Sequence, residues 1–437
     1  MKNKPLLTAF LLLAAQQLAF LLFFPPFTEP DSATYIAVAQ QYLHTGSLAA
    51  DARLPGYPAL LALSYSVFGP GGLPVVIFQH LLGLLLWYAL VRMLEPGRQR
   101  LIFSGLYFCD LLYNSYQHAI LADFVFSFLI CMSAWAAWRY ARDSRLRWTA
   151  LCGLFVAMGV MTKPVLRLFP FFALPFFLLH RQAWGRRLAA AGLFLAGPLL
   201  AMNLWSLRNY LHEGYYALLP LESYHYVGRI VNHIEFPENS AARPYFQASM
   251  PEGRLPRDRK APVVHAVVAA MTADGVPPAV MDREFRQIFR LSILRRPFSY
   301  LRESALELFY FFFSAHNLYA KYGLEGRLPV SAGDAWRSGD YGGLLLKLAV
   351  SMHPFYWLVF ALFAWFTAVN ARALLAGGDF FLLYSYSLIL YIALVSSMAN
   401  EGLARYRAAI QPLMLYAAAV MLARLLPGRG GADGGAR

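Results

Sequence analysis

The chain has 437 residues, 59% of them hydrophobic and 14% charged, with a formal net charge of +14. A soluble domain carries about a quarter charged residues, so this deficit excludes an ordinary soluble enzyme and predicts a multi-span membrane protein. The positive excess is no nucleic-acid footprint: it lies in short loops between apolar runs, with no aromatic-interleaved basic groove.

Residues 5–24 follow Lys2 and Lys4 and run into Pro25-Pro26 rather than a small-residue cleavage site. That predicts a retained anchor whose N-terminus is inside. Residues 25–72 then form a first external loop. Within it Tyr35, Ile36, Ala39, Tyr42 and Leu43 repeat at helical spacing and Gly46 follows as a stop, which predicts a helix lying on the outer surface. Further spans are predicted at 73–94, 101–117, 119–138, 148–162, 165–180 and 188–206. The loops between them carry Arg98 and Arg100, then Arg139, Arg142, Arg145 and Arg147, then Arg181, Arg186 and Arg187. The positive-inside rule puts all of these on the cytoplasmic side. Cys109, Cys131 and Cys152 fall inside spans without metal-ligand spacing and read as packing residues.

Residues 207–343 mix charges of both signs with Pro and Gly and contain no span, so they should form a small external domain. Near 298–317 the run Leu308 to Phe313 allows two readings. One is an eleventh span, which would put the basic tail outside against the charge rule. The other, favoured by Glu303 and Glu307 one turn apart on one face, is an interfacial helix in the headgroup plane. Spans at 344–367, 379–397 and 407–425 bring the total to about ten. The Gly-rich tail 427–437 should be disordered. The expectation is an all-α integral membrane protein: an N-terminal module over 1–206, the external region 207–343, and C-terminal spans over 344–426.

On this topology the notable polar residues share the outer face. Asp31 follows the first span, and Asp123 lies about a turn inside the fourth. Lys163 and Arg167 occupy an external turn, Arg208 and Asn209 follow the seventh span, and Glu401, Arg405 and Arg407 precede the last. An acid at a hydrocarbon boundary is costly without a partner or a job. The cations suit an anionic phosphate at headgroup depth, Arg through its fork and Lys as a point charge. The acids suit proton removal or a divalent cation.

Asp31-Ser32-x-x-Tyr35, then Arg53-x-Pro55-Gly56-Tyr57-Pro58 and Val67-Phe68-Gly69, resemble the first loop of GT-C membrane glycosyltransferases. The branch is the one of protein O-mannosyltransferases and the lipid A aminoarabinose transferase. Ile120 to Phe124, Met161-Thr162-Lys163-Pro164, Trp205 to Tyr210, and Glu401 with Ala404 to Arg407 and Pro412 resemble later motifs of that family. Many relatives carry Asp-Glu in the first loop, whereas here the second position is Ser32. The resemblance implies a polyprenyl-phosphate sugar donor, inversion at the anomeric carbon, and an acceptor that is a lipid, a glycan or a surface protein. It places the site at the periplasmic face of a bacterial inner membrane. Asp31 is the expected base and Asp123 a second acid. Lys163, Arg208, Arg405 and Arg407 are expected to hold the donor phosphate, with Tyr35, Arg53, Tyr57, Asn209 and Glu401 as substrate contacts. A transporter or flippase of lipid-linked sugars would want the same cations, but the spans show no two-fold repeat and no paired broken helices.

Overall fold

An apolar chain in hydrocarbon must satisfy every backbone N–H and C=O internally, which favours helices. The computed structural model describes residues 4–47, 53–180, 182–251, 253–314, 318, 332–375, 379–399 and 404–426. These residues form helices and connecting turns, without strands apart from one isolated bridge between Phe27 and Ala119. The first half contains α1 (Lys4–Phe23), α2 (Pro30–Thr45), α3 (Gly56–Phe68), α4 (Gly72–Met93), α5 (Arg98–Cys109) and α6 (Leu111–Gln117). It continues through α7 (Ala122–Asp143), α8 (Leu146–Thr162), α9 (Phe169–Leu179) and α10 (Trp184–Glu213).

Six described helices are long and apolar enough to cross a membrane, against about ten spans expected. They are α1, α4, α7, α10, α18 (His353–Leu375) and α19 (Phe380–Ala399), the last two numbered in chain order with the helices below. The expected span 101–117 is two helices. The Asp110 carboxylate accepts the Tyr113 N–H at 2.9 Å and restarts the helix as α6. The helices at 148–162 and 165–180 are present but short. Close packing of α8 on α10 depends on Gly153, where a Cβ would lie 2.3 Å from the Phe194 carbonyl oxygen.

The external region holds α11 (Ser223–Ile230), α12 (Arg243–Ser249), α13 (Arg257–Ala273), α14 (Pro278–Arg295) and α15 (Pro297–Phe313). Its own apolar core includes Val227, Ile230, Phe246, Val267, Phe285 and Ile288, separate from the core of the membrane helices. Helix α15 packs on α18 and α19 and turns Glu303 and Glu307 inward, 6% and 5% exposed. After α16 (Ala332–Ser338) and α17 (Tyr341–Ser351), Met352 adopts φ +57° and separates α17 from α18. The final elements are α20 (Ala404–Arg407) and α21 (Gln411–Leu425). The tail 427–437 lies outside the described residues.

Candidate active site

The first turn of α2 decides what Asp31 is free to do. Pro30 sits at the first helical position, where its missing N–H costs nothing. Glu29 is the N-cap, and the Ser32 hydroxyl accepts the Glu29 N–H at 2.9 Å to complete a capping box. Ser32, buried at 1% exposure, therefore closes the helix end. Capping does not consume Asp31, and its carboxylate turns to cations.

Arg53 Nη2 donates to Asp31 Oδ1 at 2.7 Å, and Arg405 Nη1 approaches Asp31 Oδ2 at 2.7 Å. The opposite edge of the same Arg405 guanidinium holds Asp123, with Nη2 to Oδ2 at 2.9 Å and Nε at 3.0 Å from both oxygens. Lys163 Nζ closes the line, donating to Asp123 Oδ1 at 2.6 Å. Five groups thus alternate in sign: Arg53, Asp31, Arg405, Asp123, Lys163. Exposure is uneven, with 35% of the Asp31 side chain reachable and 2% of Asp123. Asp31 faces outward, while Asp123 is a buried anchor for two cations. Burial would raise the Asp31 carboxyl, but Arg405 and then Arg53 outweigh it and hold it below its ordinary 3.8.

Local packing positions each member. Helix α3 starts at Gly56 against the end of α8, where a Cβ would lie 2.7 Å from the Met161 carbonyl oxygen and 2.8 Å from Thr162 Oγ1. That contact needs glycine, and it sets Arg53 beside the turn carrying Lys163. Arg53 also donates to Thr34 Oγ1 at 2.8 Å and lies 4.4 Å above the Tyr35 ring. Tyr35 meets Tyr57 edge-on at 5.1 Å, and the Tyr57 hydroxyl donates to Gln79 Oε1 at 3.2 Å. Both tyrosines are buried, so they support Arg53 from below. A metal does not fit between the two acids, because the Arg405 guanidinium stands there. Among the described residues no three His, Cys, Asp or Glu side chains converge to hold one.

Residues 50–207 match the family model described as dolichyl-phosphate-mannose-protein mannosyltransferase, a stretch that includes Arg53, Asp123 and Lys163. No curated protein sequence matches the chain. The solved oligosaccharyltransferase of Archaeoglobus fulgidus in its apo form aligns with 97% of this chain at TM-score 0.53 and 12% identity. The chain has the GT-C fold. The same archaeal enzyme tethered to an acceptor peptide containing the NVT sequon aligns equally, at TM-score 0.53 and 12% identity over 97% of this chain. The chain spans about half of that protein's length, 51% of the apo form and 50% of the tethered one. ArnT from Cupriavidus metallidurans bound to undecaprenyl phosphate aligns at TM-score 0.38 and 15% identity, over 95% of this chain and 77% of that one.

Not every expected residue joins the line of charges. Arg208 donates to Ser47 Oγ at 3.0 Å, just beyond the far end of α2. Roughly 20 Å of helix separates that end from Asp31, so Arg208 does not sit with Arg405. Arg407, 1% exposed, turns inward, donates to the Phe311 carbonyl at 3.2 Å and to that of Phe312, and stacks over Tyr356 at 4.8 Å. It holds the end of α15. Asn209 donates to the Ala217 and Leu218 carbonyls at 2.8 and 3.2 Å, pinning the loop after α10. Arg167 pairs with Glu222 and with the Tyr226 hydroxyl in the external region. Glu401 lies outside the described residues. Sequence reasoning missed Tyr224 on α11, which lies within electrostatic reach of Asp31 and Arg53; no motif surrounds it.

Proposed function

We propose that the protein is a glycosyltransferase that moves a sugar from a polyprenyl-phosphate donor to an acceptor at the periplasmic face of a bacterial inner membrane. The observation that carries this is the alternating line Arg53–Asp31–Arg405–Asp123–Lys163. It supplies a reachable carboxylate next to cations with room for a phosphate's charge, and the matching family model is named for a lipid-phosphate sugar donor.

A hydroxyl is a poor nucleophile, so its proton must leave as the new bond forms. Asp31 is the exposed acid and takes that proton. The acceptor oxygen attacks the anomeric carbon while the bond to the lipid phosphate breaks on the opposite side, which inverts the configuration. The departing phosphate gains negative charge, which Arg405 and Lys163 stabilise. Asp123 is a positioning residue: from its buried place it aims both cations.

The resting arrangement adds a control. Clamped by two guanidiniums, Asp31 is a weak base. A donor phosphate competes for Arg405, and each bond it takes loosens the clamp. Base strength therefore rises when the donor arrives. Purified protein given polyprenyl-phosphate sugar and envelope acceptors should release free lipid phosphate in step with glycosylation. Relocation of intact donor across vesicles without release would instead identify a flippase.

A further inference from the structure

Helix α11 is tied down at both ends. Asp282 Oδ1 caps its start, accepting the Glu222 and Ser223 N–H groups at 3.0 Å each. Arg167 pairs with Glu222 and donates to the Tyr226 hydroxyl at 2.7 Å, which fixes that start to the turn carrying Lys163. At the other end Arg229 donates to the Ser397 carbonyl at 3.2 Å, near the end of α19.

At 3.6 residues per turn the helix has three faces. Tyr226 and Arg229 meet the membrane helices, and Val227 and Ile230 are buried in the external core. The third face carries Tyr224, His225 and Gly228. The centroid of the Tyr224 ring lies 3.8 Å from that of His225 and 5.7 Å from that of His265 on α13. Tyr224 and His225 are both within electrostatic reach of Asp31 and Arg53. Tyr224 also reaches Tyr406, whose ring is 5.4 Å from Lys163 Nζ. This face therefore looks onto the line of charges.

Two observations make it a recess rather than a packed wall. His225 is open to solvent, yet the surrounding protein, then His265 and Arg53, push its pKa down to about 4. A ring that is both accessible and crowded lines a hollow, and this one is neutral at neutral pH. Second, a Cβ on Gly228 would meet no atom within 4 Å, although glycine is disfavoured inside a helix. The Tyr224 hydroxyl and the nitrogens of His225 and His265 make no hydrogen bond among the described residues.

We infer that this recess binds the acceptor, and that the acceptor group is a sugar ring stacked on Tyr224, its hydroxyls bonded by His225 and His265 and one of them presented to Asp31. The inference rests on the glycosyltransferase reading and names its acceptor class. A sugar has apolar C–H faces and a rim of hydroxyls, which an aromatic face beside imidazoles matches. The three rings supply no carboxylate for an amine and no guanidinium for a phosphate, and Arg53 is taken by Asp31. An extended peptide would want a strand edge, whereas α11 and α13 are helices whose backbone groups pair internally. The sugar belongs to a glycan or to a glycolipid headgroup.

The test uses the full chain in nanodiscs with a polyprenyl-phosphate sugar labelled in the sugar. Three acceptor pools are offered: envelope glycan, envelope lipid, and envelope protein stripped of its glycans. Label should enter a sugar, in the glycan pool for a glycan source and in the lipid pool for a glycolipid. Gly228→Phe fills the recess and should raise the acceptor KM about tenfold or more, the scale of one lost ring contact and one lost hydrogen bond. His225→Ala should raise it roughly 3- to 10-fold, the scale of a hydrogen bond. In both, donor affinity and kcat at saturating acceptor should stay at the wild-type level. Gly228→Ala should melt no lower than wild type, which shows that the helix accepts a side chain there. Label entering the stripped protein, or a wild-type acceptor KM in both Gly228→Phe and His225→Ala, overturns the sugar recess and leaves the transferase reading standing. Donor relocated intact, with no label in any pool, removes the transferase reading and the recess with it.

Discussion

Arg405→Lys separates a bridge from a mere positive charge. The wild-type guanidinium gives Nη1 to Asp31 at 2.7 Å and Nη2 with Nε to Asp123 at 2.9–3.0 Å. An ammonium keeps the charge but is a point donor on a flexible stem and cannot span both acids. It should settle on the buried Asp123, whose unpaired charge is the costlier one. One charge-assisted contact, the one to Asp31, is then lost, worth about 1.5–3 kcal/mol. An ammonium settled on Asp123 likewise gives up one charge-assisted bond to the departing phosphate, and since 1.4 kcal/mol is about tenfold, lipid-phosphate release should fall roughly 10- to 150-fold. Asp31 also loses the stronger of the two cations that lower its pKa, so the acid limb of the rate profile should move to higher pH. The assay is kcat for lipid-phosphate release across pH, with circular dichroism to confirm folding. Arg405→Lys turning over at the wild-type rate with an unshifted acid limb would refute the bridge.

Gly56→Ala forces a Cβ to 2.7 Å from the Met161 carbonyl oxygen. It should cost about 1–3 kcal/mol, read as a lower melting temperature, with reduced transfer as Arg53 moves. Arg407→Gln removes the cation that serves the Phe311 and Phe312 carbonyls. It should destabilise by about 1–3 kcal/mol while the folded fraction releases lipid phosphate at a near-normal rate. Arg208→Gln, at the far end of α2, should leave kcat within about threefold, less than 1 kcal/mol, measured by the same release assay. Because the folded Asp31 carboxyl titrates below 3.8, its stabilising contribution is present above about pH 4 and lost as pH falls through the folded value. Asp31→Asn should therefore flatten the acid side of a melting-temperature profile.

The sequence made Asp31, Asp123, Lys163 and Arg405 legible because charges beside hydrocarbon are rare and each lies near the end of an apolar run. It could not separate Arg405 from Arg407. Two residues apart on a helical turn they point about 200° from each other, so one joins the acids and the other turns into the core. Arg208 was misplaced because the loop's surface helix, correctly expected to end near Gly46, is long enough to carry Ser47 far from Asp31. Helix α3 was missed since Arg53 to Pro58 reads locally as a turn, and only the approach of Gly56 to Met161 makes it a helix start. Glu303 and Glu307 were legible as one face. What they face is not headgroups but Arg229 and Lys260, supplied by residues at least 43 positions earlier in the chain.

In the proposed mechanism Asp31 accepts the acceptor's proton while Arg405 and Lys163 take the lipid phosphate. Single-turnover transfer by folded Asp31→Asn, with donor binding measured on the same sample, tests it most directly. Donor should still bind, and transfer should fall by about 10²- to 10⁴-fold, the range of a general base. Transfer at the wild-type rate in that variant would contradict it.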